Sequence, residues 1–309
     1  MSDEGSYATL DIGSNTIRLL VARRHGAELL PVRDNSQFVR LGRGVDMAGE
    51  LQPDREQAGL EAIKALADEA RACGAEGVVA IATSAVRDAR NGQSFVRRVR
   101  DETGVEVEII SGEREAYLTY LGASMGVSVE NGAIVCDLGG GSAELIHADA
   151  SGVRWAFSRP LGSGRLTERF IHHDPPTAQE QHDLAAHVRG ELQDLPPARA
   201  RTAILTGGTA AHVAIIAGLK GTIEWVGGDT LERVLDILNT RPAAEIVSTY
   251  AIRPERAQVL PAGVGALLAI TQHYAADQVV ITQRGIREGA IVDALRREGK
   301  WPGSEVVQA

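Results

Sequence analysis

Two rhythms of apolar and polar positions run along this 309-residue chain, and each predicts its own kind of element. Residues 7–10 form an apolar run that ends in Asp11-Ile12-Gly13-Ser14-Asn15-Thr16, and residues 17–21 resume an extended pattern. That order predicts two strands joined by a tight turn, because Gly, Ser and Asn supply the backbone freedom and local hydrogen bonds that turns need. A third strand is expected over 29–32, then a glycine-bearing loop over 39–49. From Pro53 the rhythm changes. Ala58, Ile63, Leu66, Ala67, Ala70 and Cys73 recur at helical spacing, with Pro53 at the first turn and Gly74 just past the last, which predicts a helix over 53–73. Strands over 78–82 and 105–110, a helix around 95–99 and a helix over 113–125 complete the first part.

After Gly132 the pattern starts again. A strand over 133–138 runs into Asp137-Leu138-Gly139-Gly140-Gly141-Ser142, and strands over 143–148 and 153–157 follow, joined by a turn over 149–152. Thr177-Ala178-Gln179-Glu180 has the spacing of a capping box and opens a helix that stops near Pro196-Pro197. A strand over 203–205 enters Thr206-Gly207-Gly208-Thr209, with a helix over 210–219 beyond. The segment 229–269 is helix-rich and interrupted at Pro254, 279–282 is a strand, and 286–297 is the last helix. The unit strand–Asp–glycine turn–strand therefore occurs twice, about one domain apart. No low-complexity linker separates the copies, so packed domains with a hinge are expected.

Composition narrows the class. The length suits about two domains, and 44% hydrophobic residues permit a core in each. A net charge of −9 and a pI of about 5.4 argue against non-specific nucleic-acid or membrane binding. A local patch of opposite sign can still hold a polyanion. Of the basic residues, 29 are Arg and only Lys64, Lys220 and Lys300 are Lys. Arg grips phosphate bidentately, but this excess is also what a GC-rich genome produces and identifies no ligand by itself. Cys73 and Cys136 read as small buried hydrophobes in a reducing compartment, and without a Cys-x-x-Cys pair a structural zinc site is not expected. His172-His173 and the pair His182 and His187 read as structural or solvent-facing. The start of the chain lacks a signal layout and no apolar run reaches membrane-span length, so a cytoplasmic location is expected.

The two turns suggest phosphate chemistry. In the first, the Gly13 backbone with Ser14, Asn15 and Thr16 can cradle phosphate oxygens through successive N–H groups and side-chain donors. Asp11, at the strand end, can hold a metal through water or orient a nucleophile. One such turn alone is ordinary, since Asp–Gly turns also serve simply as hairpins. The second, Gly139-Gly140-Gly141-Ser142, is nearly bare backbone; the plain alternative is a loose loop, and the repeat favours a second phosphate clamp. Asp137 and Glu144 flank it, and carboxylates beside phosphate point to Mg2+ or Mn2+.

Five segments together resemble the exopolyphosphatase / guanosine pentaphosphate phosphohydrolase (Ppx/GppA) family, within the wider group of sugar kinases, actin and heat-shock chaperone ATPases. They are Asp11-Ile12-Gly13-Ser14-Asn15-Thr16, Ala82-Thr83-Ser84-Ala85-Val86-Arg87, Ile109-Ile110-Ser111-Gly112-Glu113-Arg114-Glu115-Ala116, Asp137-Leu138-Gly139-Gly140-Gly141-Ser142-Ala143-Glu144-Leu145 and Gly285-Ile286-Arg287-Glu288-Gly289. They span nearly the whole chain, in family order. The resemblance implies an α/β protein of two actin-like (ribonuclease H-like) domains, each a mixed sheet with flanking helices, with the active site in the interdomain cleft. The domains are expected over 1–125 plus 285–309 and over 126–284, the last helix packing back on the first. Because the chain ends soon after that helix, the short two-domain form is expected, and with it a preference for short polyphosphates or pentaphosphate nucleotides over long polymers.

The resemblance also implies roles. Glu115 looks like the general base that activates water; the plain alternative is a glutamate placed to suit a helix N-terminus. Glu113 is expected to be solvated. Arg87 looks like the arginine that stabilises charge on the transferred phosphoryl group, its alternative being a surface pair with Asp88. Asp137 and Glu144 look like the metal partners. Gly207 and Gly208 sit where actin-like ATPases often contact a nucleoside and are assigned a supporting role in phosphate binding. Arg165 and Arg169, after Gly162-Ser163-Gly164, are candidates for the substrate path or a solvated helix face. The expected activity is metal-dependent release of orthophosphate from inorganic polyphosphate, with hydrolysis of guanosine pentaphosphate as the alternative. Two other classes compete: a kinase or ATPase of the wider superfamily, and a guanosine tetra- or pentaphosphate sensor without turnover. A homodimer is compatible with the sequence.

Overall fold

The computed structural model describes residues 5–301, and of Asp46 the backbone alone. In chain order the elements are β1 (Ser6–Ile12), β2 (Thr16–His25), β3 (Glu28–Phe38), α1 (Val45–Ala48), α2 (Pro53–Ala72), β4 (Val78–Ala82), α3 (Ser84–Asp88), α4 (Gly92–Thr103), β5 (Val107–Ile109) and α5 (Gly112–Ala123). Then follow β6 (Ala133–Leu138), β7 (Ala143–Asp149), β8 (Gly152–Arg159), α6 (Ser163–Phe170), α7 (Ala178–Gln193), β9 (Thr202–Thr206), α8 (Gly207–Ala217) and β10 (Ile223–Val226). The chain finishes with α9 (Thr230–Thr240), α10 (Ala243–Tyr250), α11 (Pro254–Ala257), α12 (Leu260–His273), β11 (Gln278–Thr282) and α13 (Ile286–Arg297). Two compact units result, Met1–Met125 with Ile286–Ala309, and Gly126–Gly285.

Each unit is a mixed sheet with flanking helices. The first has strand order β3-β2-β1-β4-β5, and the second β10-β11-β9-β6-β7-β8. In both, three antiparallel strands (β1–β3, β6–β8) are joined to two parallel ones (β4 and β5; β9 and β11). The repeat read in the sequence is thus a repeat of topology, to which the second unit adds β10 as an antiparallel edge.

Both faces of the first sheet are covered. Ala8, Leu10, Ile12, Ile17, Leu19 and Val21 pack with Leu60, Ile63 and Leu66 of α2 in one cluster. Leu20, Ala22 and Leu29 pack with Ile291, Val292 and Leu295 of α13 in another. The period-2 alternation of β2 divides it between the two clusters. The second unit holds one large core that joins β6, β7 and β9 to α7, α8, α9 and α12. α7 opens with the predicted capping box: Thr177 Oγ1 accepts from Glu180 N at 3.2 Å, and the Glu180 carboxylate accepts from Thr177 N at 2.7 Å. Among the described residues no helix is long and apolar enough to cross a membrane.

Several expected elements differ in detail. The stretch 39–49 is not all loop, since α1 forms within it. β3 runs on to Phe38, well past the expected strand, because its pairing with β2 continues down to Thr16. α8 begins three residues earlier than expected: Gly207 adopts φ 85 and lets β9 turn directly into helix. α3, α6 and β10 were not expected as separate elements; each is eight residues or fewer. Cys136 is fully buried and Cys73 half-buried, both as free thiols.

α13 crosses α5 very closely. A Cβ on Gly289 would lie 1.8 Å from the Leu118 carbonyl oxygen and 3.0 Å from Gly122 N. The obstacle is backbone, so no rotamer change relieves it. Gly289→Ala is therefore expected to lower the unfolding midpoint, with a cost at or above the upper end of the usual overpacking range of about 1–3 kcal/mol. Gly190→Ala, on the exposed face of α7 with nothing within 4 Å of the added Cβ, is expected to be neutral or to stabilise by about 0.5–1 kcal/mol. Denaturant titrations of both variants check the contrast, and equal midpoints would show that α13 and α5 can separate without cost.

Candidate active site

The first unit carries a candidate phosphate turn at the end of β1. Since Ala8, Leu10 and Ile12 face the α2 core, Thr9 and Asp11 point to the opposite face. Asp11 is 8% exposed and lies directly across from Arg18 on β2. Burial pushes its carboxyl above the usual 3.8, while the charges of Arg18 and Arg287 pull it back. Arg287, in the first turn of α13, is held in turn by Asp34 at 2.7 and 3.1 Å and donates to Leu19 O at 3.2 Å. Its own carbonyl accepts from Thr9 Oγ1 at 3.0 Å.

The turn after Asp11 closes with Gly13 N donating to Thr16 O at 3.2 Å. Its carbonyls are occupied from behind. Ser14 O accepts from Gly42 N at 2.8 Å, and Asn15 O accepts from Val39 N and Arg40 N, both at 2.9 Å. Ser14 Oγ lies 2.8 Å from Ser84 Oγ at the start of α3. Among the described residues, the N–H groups of Ser14 and Asn15 donate to no backbone acceptor. Amides freed in this way, with their carbonyls tied elsewhere, form an anion cradle.

Arg87 and Glu115 meet beside this turn's strand ends. Arg87 sits on α3, which follows β4, and Glu115 on the first turns of α5, whose N-cap Ser111 accepts from Arg114 N at 3.2 Å. Arg87 Nη1 donates to Glu115 Oε2 at 2.8 Å and to Ile110 O at 3.2 Å, while its Nε is 3.6 Å from Asp88. The pair with Asp88 exists, but the contact with Glu115 is the shorter one. Glu115 is buried at 7% exposure, as a group withdrawn from bulk water. Glu113 is exposed, and its carboxyl is held below its usual range by its own backbone N–H and the Ser111 hydroxyl, with a smaller contribution from Arg87.

The second unit repeats the device. Gly139 N donates to Ser142 O at 3.0 Å, the same closing bond as in the first turn. The carbonyls are again held from behind, here by the start of α6: Gly139 O accepts from Ser163 N at 2.9 Å and Ser163 Oγ at 3.2 Å, and Gly140 O from Gly164 N at 3.0 Å and Arg165 N at 3.3 Å. The N–H groups of Gly140 and Gly141 donate to no backbone acceptor among the described residues. A triple glycine that would be loose alone is thus pinned. Asp137 and Glu144 are directly opposed on β6 and β7, so their side chains leave the same face. Glu144 is 3% exposed and accepts from Ser158 Oγ at 2.9 Å. Asp137 Oδ1 occupies the space where a Cβ on Gly207 would sit, 2.0 Å from that position, so a bare Gly207 is what admits the carboxylate. Gly208 O accepts from His212 Nδ1 at 2.6 Å inside α8. Two opposed carboxylates fit a Mg2+-like ion, which commonly takes one or two carboxylates and completes its shell with phosphate oxygens and water. No cluster of three or more metal-ligating side chains is found among the described residues.

Residues 20–298 match the family described as Ppx/GppA phosphatase. The chain belongs to the Ppx/GppA phosphatase family. Exopolyphosphatase 1 of Mycobacterium tuberculosis is 30% identical to it over 302 residues, covering 94% of this chain and 88% of the relative. Exopolyphosphatase 1 of Mycobacterium leprae is 30% identical over 317 residues, covering 97% and 91%. Among solved structures, the Aquifex aeolicus Ppx/GppA family member superposes with a TM-score of 0.83 at 28% identity, covering 95% of this chain and 98% of that one. An exopolyphosphatase from Cytophaga hutchinsonii reaches 0.86 at 22% identity over 95% and 98% of the two chains, a likeness of fold. The two-sheet architecture of this Ppx/GppA phosphatase is accordingly the actin-like one of its family.

Three partners around these turns were given no role by the sequence reading. Ser84 lies inside a quoted segment but its bond to Ser14 spans 70 positions. Arg287 lies inside another, and its reach to Asp34 and Asp11 depends on where α13 docks. Ser158, which holds Glu144, has no sequence signal beyond its place on β8. Arg165 and Arg169 stand on α6, where Arg169 lies over the Phe170 ring.

The state of Asp11 has a measurable consequence. Its folded carboxyl titrates above the unfolded value of 3.8, so as pH rises past that value the unfolded chain loses its proton first and wild-type stability falls. Asp11→Asn lacks this loss. Its stability relative to wild type is expected to increase from about pH 3 to pH 7, as followed by denaturant unfolding across the range. A difference independent of pH would mean that Arg18 and Arg287 fully offset the burial.

Proposed function

We propose that this phosphatase is an exopolyphosphatase, removing the terminal phosphate of inorganic polyphosphate as orthophosphate. The observation that carries the reading is the buried Glu115 carboxylate, held at 2.8 Å by Arg87. A carboxylate withdrawn from water and fixed in direction is suited to take a proton from a single water molecule, and a guanidinium beside it is suited to phosphoryl oxygens. A kinase needs no such base for water. The amides of Ser14 and Asn15, and those of Gly140 and Gly141, support binding of a phosphate chain.

In this mechanism Glu115 accepts a proton from water as the water oxygen bonds to the terminal phosphorus. The bond from that phosphorus to the bridging oxygen breaks, and the electron pair stays with the shortened chain. Arg87 and the turn amides take up the charge on the equatorial oxygens. Asp11, beside the first turn, adds a fixed negative charge that orients water or cation. Asp137 and Glu144 would hold Mg2+ or Mn2+, whose charge neutralises phosphate oxygens when bound. Guanosine pentaphosphate presents the same terminal bond and is the competing substrate.

Orthophosphate release is measured in parallel with short polyphosphate, long polyphosphate, guanosine pentaphosphate and ATP. Release from short polyphosphate above the other three, abolished by chelation, is the expected result. Release from the pentaphosphate alone would move the assignment to nucleotide hydrolysis, and binding without release in any arm would make the protein a sensor. Glu115→Gln is expected to lower kcat by at least about 100-fold while polyphosphate binding persists. Near-normal turnover in that variant would remove Glu115 from the role of base.

A further inference from the structure

Arg40 adjoins the first turn yet has no part in the mechanism above. It lies just beyond β3, on the loop that ties the Asp11–Thr16 turn from behind, and its N–H donates to Asn15 O at 2.9 Å. Its backbone is left-handed, with φ 56. That conformation is unfavourable for an L-residue other than Asn or Asp and costs glycine almost nothing. The side chain is half-buried, and its guanidinium carbon stands 5.2 Å from the centroid of the Phe38 ring. Phe38 is the residue paired directly across from Thr16. The ring under the cation thus belongs to the residue paired with the last position of the phosphate turn.

Charge matching singles the residue out. Neighbouring arginines are satisfied by carboxylates: Arg43 and Arg55 by Asp54, Arg90 by Glu50, Arg287 by Asp34. Among the described residues Arg40 makes no ion pair, and its guanidinium lies over the Phe38 ring. The planar fork of N–H donors along the edge stays available, and that geometry matches phosphate oxygens bidentately. A strained backbone, a half-buried cation with no carboxylate and a direct hydrogen bond to the anion-cradling turn coincide at one position.

We propose that Arg40 is a further phosphate-contacting residue, gripping polyphosphate oxygens beside the first turn and contributing to substrate affinity. This rests on the reading of the protein as a polyphosphate hydrolase. Since Arg87 and Glu115 perform the chemistry, the contact made by Arg40 is expected to be equal in ground state and transition state, and so to appear in KM.

Arg40→Gly tests it cleanly, because glycine keeps the left-handed turn and removes only the guanidinium. Expected are a KM for short polyphosphate raised about tenfold or more, as for a lost charge-assisted hydrogen bond, an unchanged kcat, and an unfolding midpoint equal to or above that of wild type. Arg40→Lys, which keeps the charge and loses the fork, is expected to fall between the two. Equilibrium binding of inorganic tripolyphosphate to wild type and both variants gives a readout independent of turnover. Wild-type activity with unchanged KM and tripolyphosphate affinity in Arg40→Gly would overturn the proposal and leave the polyphosphatase reading standing. A loss confined to kcat would also overturn it. A wild-type protein that neither binds tripolyphosphate nor releases orthophosphate would overturn both.

Discussion

The structure depends on a simple rule about peptide groups: a backbone amide is available to a ligand only when the chain around it is held by other bonds. Both glycine turns obey it. In the first, the loop after β3 takes the carbonyls of Ser14 and Asn15; in the second, the first amides of α6 take those of Gly139 and Gly140. The closing bond, Gly13 to Thr16 or Gly139 to Ser142, is the same in each. What remains are the N–H groups at the turn tips, fixed in direction before any anion arrives. Preorganised donors of this kind do not have to reorient as charge develops, which is where electrostatic catalysis gains over water. The segments that supply the support, Val39–Gly42 in one unit and Ser163–Arg165 in the other, are unrelated in sequence, so the repeat lies in the geometry of the cradle and not in its backing.

Much of this was legible from residue order. The strands β1, β2, β6 and β7 announce themselves because apolar runs stop at Asp and glycine, and α2 and α13 because their spacing and end signals agree. The two turns were read from the repeated Asp–glycine unit, whereas the roles expected of Glu115 and Arg87 came from the resemblance of five ordered segments. The backing of the turns was invisible for a physical reason. Gly42 N, Val39 N and Arg40 N act through backbone, and a backbone donor leaves no mark on residue identity. The bond between Ser14 and Ser84 and that between Ser158 and Glu144 use side chains so common that only their meeting in space gives them meaning. Short elements such as α3 were missed because five residues carry too little pattern, although α3 is what presents Arg87.

The two turn aspartates are arranged differently, and the difference follows from the groups around them. Asp11 has a cation directly across the strand pair and a second in Arg287, so its charge is partly matched inside its own unit. Asp137 faces another carboxylate, Glu144, across β6 and β7. Two like charges at cross-strand distance repel, and burying Glu144 to 3% exposure sharpens the conflict. The Cys136 thiol beside them is pushed well up by its burial and by both charges, the mark of a region of concentrated negative potential. The divalent cation proposed for this pair would relieve that repulsion, whereas Asp11 has cations on its own unit. The same strand–Asp–turn unit thus serves two ends, set by whether the next strand offers Arg18 or Glu144.

α13 shows how the last segment of the chain becomes tied to the candidate site. It comes last in the chain, yet it docks on the sheet face that carries Thr9 and Asp11 and lies against α5, which carries Glu115. Three contacts fix it. Gly289 lets its backbone reach that of Leu118, Asp293 joins Arg114 of α5 to Arg297 of its own helix, and Arg287 reaches Asp34 and Leu19 across the strands. Asp293 is 8% exposed and shared by two arginines, so its burial is compensated by charge from both helices. A shift of α13 would move the N-terminus of α5 and the charge beside Asp11 together. The Gly-Ile-Arg-Glu-Gly segment therefore belongs with the catalytic motifs on mechanical grounds. It sets the distance between the strand that holds Asp11 and the helix that holds Glu115.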